Sequence, residues 1–264
     1  MHLTKAELKY LRSLAQKKVR ETEGKFLLEG WKPLAEVLAS AFSVEMIVVA
    51  AGEASADERQ RQLGAARARS IPIKEMTALE LRQLTDTVTA QGVVALVRQK
   101  KEQLTPEALR DARLIIVGDA ISDPGNLGSI VRSADWYAAD LVLLSEGSVS
   151  LYNEKVVRST AGSLFHVPVV EHLELSETLG RLRNAGFRVG IADADGTEAD
   201  WPPSGWDRVA VVVGNEAHGV SPQLHAGADA VVAIPRYGKA ESLNVGVATA
   251  VLLDRIRQRD TRSA

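Results

Sequence analysis

The 264-residue sequence has no cysteine, which excludes disulfides, thiolate nucleophiles and thiolate metal ligands. Its five histidines are scattered without ligand-like spacing, so no metal centre is expected. Phosphate-cradling loops are missing as well. Neither G-x-G-x-x-G nor G-x-x-x-x-G-K-[ST] occurs, which counts against a dinucleotide or a nucleoside triphosphate as ligand. No apolar run reaches the length of a membrane span, and the N-terminus lacks the apolar core of a signal peptide. A cytoplasmic protein with no membrane partner is expected. The formal net charge of -2 argues against a chain that coats nucleic acid over its whole surface, while leaving room for a local basic patch.

Such a patch stands at the start. Residues 1–25 hold seven basic residues against three acidic ones, a local charge of +4 that includes Lys17, Lys18, Arg20 and Lys25. Charge runs are often only solvated helix faces, but this one is also suited to nucleic acid. Leu3, Leu8, Leu11, Leu14 and Ala15 recur at helical spacing, which predicts a basic amphipathic helix over 4–20. Short strands are predicted at 26–28, 45–50, 71–73 and 92–98, with helices at 31–40 and 53–69. A further helix opens at the capping box Thr77-Ala78-Leu79-Glu80. Alternating strands and helices over about ninety residues suggest a small layered α/β domain, residues 1–100. The polar stretch 101–112, with one proline, reads as a linker.

From Arg113 the pattern restarts with longer apolar strands at 114–117, 141–144, 167–170, 187–192, 209–213 and 231–234. Helices are predicted near 127–138, 153–164, 173–185 and 243–259. Continuous apolar strands alternating with helices indicate a parallel sheet covered on both faces, so 113–264 forms a second α/β domain. In such sheets ligands bind beyond the carboxyl ends of the strands. Hydrophobic content of 45% and charged content of 25% are ordinary for a globular chain.

Three loops follow strand ends. The first runs from Gly118 through Asp123-Pro124-Gly125-Asn126 into a helix carrying Arg132, a charge on an otherwise small and apolar element. Asn126 could simply cap that helix. The second, Gly214-Asn215-Glu216-Ala217-His218-Gly219, brackets a carboxylate with glycines at the mouth of an apolar strand; Ser221 and Pro222 read as the start of the next helix. The third follows Ile234-Pro235 and ends in Ser242-Leu243-Asn244-Val245, where Ser242 or Asn244 could be the cap of a helix apolar on nearly every face. Backbone-lined, weakly charged loops suit a cofactor with an adenine and no phosphates.

Together the loops resemble the SpoU/TrmH branch of the SPOUT methyltransferases, which transfer a methyl group from S-adenosylmethionine to a ribose 2′-hydroxyl in RNA. The first motif, N-x-G-x-x-x-R, is matched by Asn126, Gly128 and Arg132, and the second, G-x-E-x-x-G, by Gly214, Glu216 and Gly219. The third is matched by Ile234, Pro235, Ser242, Leu243, Asn244 and Val245. Arg158-Ser159-Thr160-Ala161-Gly162 is similar to a family segment lying between them. Gly24-Lys25-Phe26-Leu27-Leu28-Glu29-Gly30, with the basic helix before it, looks like the family's ribosomal-protein-like (L30e-like) substrate-binding domain.

The resemblance implies a SPOUT-type parallel sheet with helices on both faces, a deep C-terminal trefoil knot and a homodimer whose active site draws on both subunits. It implies catalytic roles for Asn126, Arg132, Glu216, Ser242 and Asn244. The cofactor would be held by Val213, Gly214, Asn215, Glu216, Gly219, Ile234, Pro235, Ser242, Leu243 and Asn244. RNA would meet Lys17, Lys18, Arg20, Lys25, Arg132 and Arg158. A guanidinium stays protonated in proteins, so Arg132 is expected to stabilise charge and position phosphate or ribose, with Glu216 orienting it or accepting the proton through water. Ribosomal RNA, most simply 23S, is the expected substrate. A transfer-RNA methyltransferase, or an RNA-binding protein that has kept the fold without the activity, is the alternative.

Overall fold

The computed structural model describes residues 2–85, 91–196, 201–203, 205–215 and 217–262. The chain forms two units, and the cut between them is not a single one: Met1–Lys100 groups with Tyr152–His166, and Lys101–Leu151 with Val167–Ala264.

The first unit begins with α1 (Lys5–Ser13), opened by a capping box between Thr4 and Glu7, and α2 (Lys17–Glu23). The single helix expected over 4–20 is therefore broken. Arg20 turns inward and donates to the carbonyls of Leu14 and Ala15, at 2.9 and 2.6 Å, which takes up acceptors left over where α1 ends. Then follow β1 (Lys25–Glu29), α3 (Trp31–Ala39), β2 (Val44–Ala50), α4 (Asp57–Ala68), β3 (Ile73–Met76), α5 (Ala78–Leu81) and β4 (Val93–Arg98). Thr77 and Glu80 form the predicted capping box of α5. The sheet order is β1-β4-β2-β3, antiparallel except between β2 and β3. Burial alternates along β1.

In the second unit α6 (Pro106–Arg110) lies within the stretch read as a linker, and Leu104, Leu109 and Ala112 are buried in that unit's core. The chain continues through β5 (Leu114–Gly118), α7 (Pro124–Trp136) and β6 (Leu141–Ser145), passes through α8 (Glu154–Ser159) in the first unit, and returns. It finishes with β7 (Val169–Leu173), α9 (Leu175–Asn184), β8 (Arg188–Ala192), β9 (Val209–Val213), α10 (Pro222–His225), β10 (Ala230–Val232) and α11 (Val245–Arg262). Strand order is β10-β8-β9-β5-β6-β7, and every pairing is parallel. The central strands β5, β6 and β9 are buried at every residue, as a sheet covered on both faces requires.

The segment Tyr152–His166 packs with the first unit. Tyr152 lies 4.8 Å from the Phe26 ring, its hydroxyl donates to the Lys100 carbonyl at 2.6 Å and accepts from the Lys100 N–H at 2.9 Å, and Phe165 meets Phe42 edge-on at 5.1 Å. Arg158 therefore belongs to this unit.

In the second unit α7 and α11 pack on each other. A Cβ built on Gly246 would sit 2.8 Å from the Ser129 Cβ, so glycine sets how closely the helices approach. Arg257 of α11 donates to the carbonyls of Tyr137 and Ala138, both at 2.7 Å, covering the C-terminus of α7. Among the described residues no helix is long and apolar enough to cross a membrane, and no His, Asp and Glu cluster is placed to hold a metal.

Candidate active site and cofactor loops

β5 and β9 are neighbours in the sheet, so their carboxyl ends deliver the first two motif loops side by side. Backbone and side chains fasten them together. The Asp119 N–H donates to the Val213 carbonyl at 2.9 Å, and the Asp119 carboxylate, itself buried, accepts from the Ser221 N–H at 2.8 Å. The Asn215 side-chain amide donates to the Ala120 carbonyl at 2.8 Å while its side-chain oxygen accepts from the Ala217 N–H at 2.9 Å. Ser145, at the end of β6, accepts from the Ala120 N–H at 2.7 Å. Asp119 and Ser145 were not singled out from the sequence. A lone carboxylate directly after a wholly apolar strand was the available signal.

Gly214 is required by space. A Cβ there would lie 2.1 Å from the Gly219 carbonyl carbon and 2.2 Å from the Val220 nitrogen, both backbone atoms that cannot step aside. Asn215 and Gly219 exchange two backbone hydrogen bonds, 3.0 and 2.9 Å, and Gly219 takes φ +67°, a left-handed conformation that suits glycine. The second loop is thus a tight closed turn. Glu216 lies outside the described residues.

The third loop joins the first through a pair of amides. Asn244 donates to the Asn126 side-chain carbonyl at 2.7 Å, and its own side-chain oxygen accepts from the Gly246 and Val247 N–H groups at 3.0 and 3.3 Å. Asn244 is therefore the cap of α11, and capping fixes which end of its amide faces Asn126. Asn126 is not the cap of α7. That role belongs to Asp123, whose carboxylate accepts from the Asn126 N–H at 2.8 Å, with Pro124 at the first helical position. Asn126 is buried; Ser242 and Leu243 are exposed; Ile234 and Pro235 are half-buried.

Arg132 lies about two turns along α7 from Asn126. The sequence suggested a charge projecting from a buried element, but the residue is exposed, without a hydrogen bond or ion pair to another described residue. The basic N-terminal residues are placed unevenly. Arg20 is buried, and loss of water pushes its guanidinium below its ordinary value, partly offset by the charges of Glu154 and Glu21. Lys25 is paired with Glu45 at 2.7 Å and lies over the Tyr10 ring; the hydrogen bond to Glu45 holds its ammonium above the usual value. Lys17 pairs on the surface with Glu21, Lys18 is exposed, and Arg158 is half-buried. Arg20 and Lys25 are thus engaged within the unit.

The geometry defines a three-loop site at the carboxyl edge of a parallel α/β sheet, closed by an asparagine pair. Comparison with known proteins agrees. Residues 113–254 match the SpoU rRNA Methylase family, and residues 5–95 match the MRM3-like substrate binding domain. The chain belongs to the SpoU rRNA methylase family. It is 32% identical over 252 residues to the Bacillus subtilis 23S rRNA (guanosine(2553)-2′-O)-methyltransferase RlmP, covering 95% of this chain and 96% of that one. Among solved structures, the SpoU methyltransferase AviRb from Streptomyces viridochromogenes in complex with AdoMet superposes with a TM-score of 0.83 at 27% identity, covering 98% and 99% of the two chains. An AdoMet-bound rRNA methyltransferase from Sinorhizobium meliloti gives a TM-score of 0.84 at 26% identity, over 98% and 97%.

Proposed function

We propose that this chain transfers the methyl group of S-adenosylmethionine to a ribose 2′-hydroxyl of 23S ribosomal RNA. The observation that carries the reading is the Asn126–Asn244 bond, which ties the first and third motif loops together on the helix that bears the exposed Arg132.

The residues fit the cofactor. Neither 213–220 nor 242–247 contains a lysine or arginine that would call for phosphate, the tight turn at Gly214 offers main-chain groups, and Ile234 and Leu243 leave apolar surface uncovered for an adenine or a thioether chain. When bound, S-adenosylmethionine supplies a methyl carbon on a sulfonium whose departing thioether is neutral. A ribose hydroxyl is a weak nucleophile, so the protein must orient it and stabilise the negative charge that grows as its proton leaves. Arg132 performs that stabilisation and contacts the adjoining phosphate, remaining protonated throughout. Asn126, its orientation set by Asn244, positions the reacting group; Glu216 takes the proton, directly or through water.

Four further features belong to this reading. Trp136 on α7 is 82% exposed and Val247 on α11 is 50% exposed, apolar surface that a second copy of the chain would cover in a homodimer. The C-terminal part is proposed to be threaded as the family's trefoil knot. The first unit is proposed to hold the RNA, and a cytoplasmic location follows from a ribosomal substrate. The test is to incubate the protein with methyl-labelled cofactor and either 23S rRNA or total transfer RNA. Label entering 23S rRNA supports the reading, and label confined to transfer RNA overturns the substrate.

A further inference from the structure

Four of the five exposed large hydrophobic side chains among the described residues, Trp136, Tyr237, Leu243 and Val247, lie in the second unit. Trp136 and Val247 sit on helices, Leu243 at the mouth of the cofactor loops. Tyr237 is different. It stands in the loop between β10 and α11 and is 98% exposed, with exposed Arg236 before it and exposed Lys239 two residues on; Glu241 is the loop's one acidic residue. Arg236 donates to the Ala240 carbonyl at 3.4 Å, a bond that spans Tyr237, Gly238 and Lys239.

An aromatic ring left almost wholly in water, flanked by two cations, is poorly suited to an apolar partner, whose contact would strand both charges. It is well suited to a single-stranded nucleic acid, whose bases stack on aromatic rings while lysine and arginine meet the phosphates. The loop is also in the right place. It leaves β10 at the carboxyl edge of the sheet and ends at Asn244, which is bonded to Asn126. We propose that Tyr237, with Arg236 and Lys239, forms a substrate-binding platform in the methyltransferase unit that stacks on an unpaired base close to the target ribose. The inference rests on RNA being the substrate, as proposed above, and assigns part of the RNA recognition to this unit as well as to the N-terminal one.

The experiment uses the full chain and 23S rRNA bearing 4-thiouridine. RNA affinity, photo-crosslinked peptides, single-turnover methylation across RNA concentrations, and sedimentation are measured for wild type, Tyr237→Ala, Tyr237→Phe and Lys239→Ala. Tyr237→Ala should raise the RNA concentration for half-maximal rate roughly tenfold, with the saturated rate changed much less, because one stacked base is lost. Tyr237→Phe should stay within about twofold of wild type, since stacking needs the ring and not the hydroxyl, and the 236–239 peptide should crosslink. Unchanged RNA affinity in Tyr237→Ala, or a shift from dimer to monomer that accounts for the whole loss, would overturn the platform while leaving the methyltransferase reading intact. Conversely, wild type that binds RNA through Tyr237 but transfers no methyl would refute the proposed activity and leave the platform standing.

Discussion

The N-terminal unit and the methyltransferase unit differ in how they hold the cations at the end of the basic stretch and beside the motif loops. In the N-terminal unit, where the sequence is most basic, Arg20 is buried against backbone carbonyls and Lys25 is held by Glu45. In the methyltransferase unit, Arg132, Arg236 and Lys239 face solvent around the loops, and none forms an ion pair with another described residue. A count of charges along the chain therefore does not tell which cations can meet a polyanion unaided: within the same basic stretch Lys5, Lys9 and Lys18 are exposed without an ion pair to another described residue, whereas Arg20 and Lys25 are engaged. What decides is whether a cation has acceptors within its own fold, because pairing or burial removes it from the counterion balance that RNA binding draws on.

The strongest way to sharpen this contrast is to remove the free charge on α7. Arg132→Ala should lower single-turnover methylation by roughly two or more orders of magnitude, the scale for losing one preorganised charge-stabilising donor, with cofactor affinity by calorimetry nearly intact. Arg132→Lys should rescue little, because a point charge does not reproduce a two-pronged guanidinium contact. A near wild-type rate for Arg132→Ala would mean that its exposure has no catalytic purpose.

The buried cation should behave in the opposite manner. Arg20→Met is expected to cost about 2 kcal/mol of stability, the range for charge-assisted hydrogen bonds, with little effect on the salt dependence of RNA binding. Lys18→Ala should do the reverse, leaving the melting temperature alone and reducing the slope of log affinity against log salt by about 0.7–0.9. If Arg20→Met changed the slope as much as Lys18→Ala, the contrast between engaged and free cations would collapse.

Asn244 separates two functions within one side chain. Asn244→Ala should cost about 1 kcal/mol, the usual value of a helix cap, measured by denaturant titration. Asn244→Asp keeps the capping oxygen but sets an acceptor against the Asn126 carbonyl, so most of the stability should return while the methylation rate stays low. Equal recovery of both would show that the amide pair does not position the site.

The smallest effect concerns Glu7 in the N-terminal unit. A hydrogen bond from Lys74, followed by those from Thr4, lowers its carboxyl from an ordinary 4.5 to about 2. A depressed carboxyl contributes stability that is fully present above 4.5 and is lost as pH falls toward 2. The difference in melting temperature between wild type and Glu7→Gln should therefore shrink through that window. A pH-independent difference would show that the pair does not act through ionisation.

Much of the second unit was legible because its strands are apolar on both faces and its motifs sit directly at their ends. Gly214 could be read as special, and the structure supplies the backbone approach that makes it so. The strand pattern of the first unit and the Thr77–Glu80 capping box were legible for similar reasons of local chemistry. The placement of Tyr152–His166 was not. Its attachment to the first unit depends on Tyr152 finding Phe26 and Phe165 finding Phe42, tertiary pairings that leave no periodicity in the chain. The break in the N-terminal helix was hidden for the same reason, since Arg20 looks like any surface cation until its acceptors at Leu14 and Ala15 are known. Arg132 was found by its motif, and its exposure by the fold alone.

The central claim is that the three joined loops methylate a ribose hydroxyl. A 2′-O-methyl group removes the internal nucleophile that alkali uses to cleave RNA. Label transferred from methyl-labelled S-adenosylmethionine to 23S rRNA should therefore survive alkaline hydrolysis in a resistant dinucleotide, at one position, and be absent with Arg132→Ala. Label recovered in alkali-labile mononucleotides, carried on a base, would contradict the account.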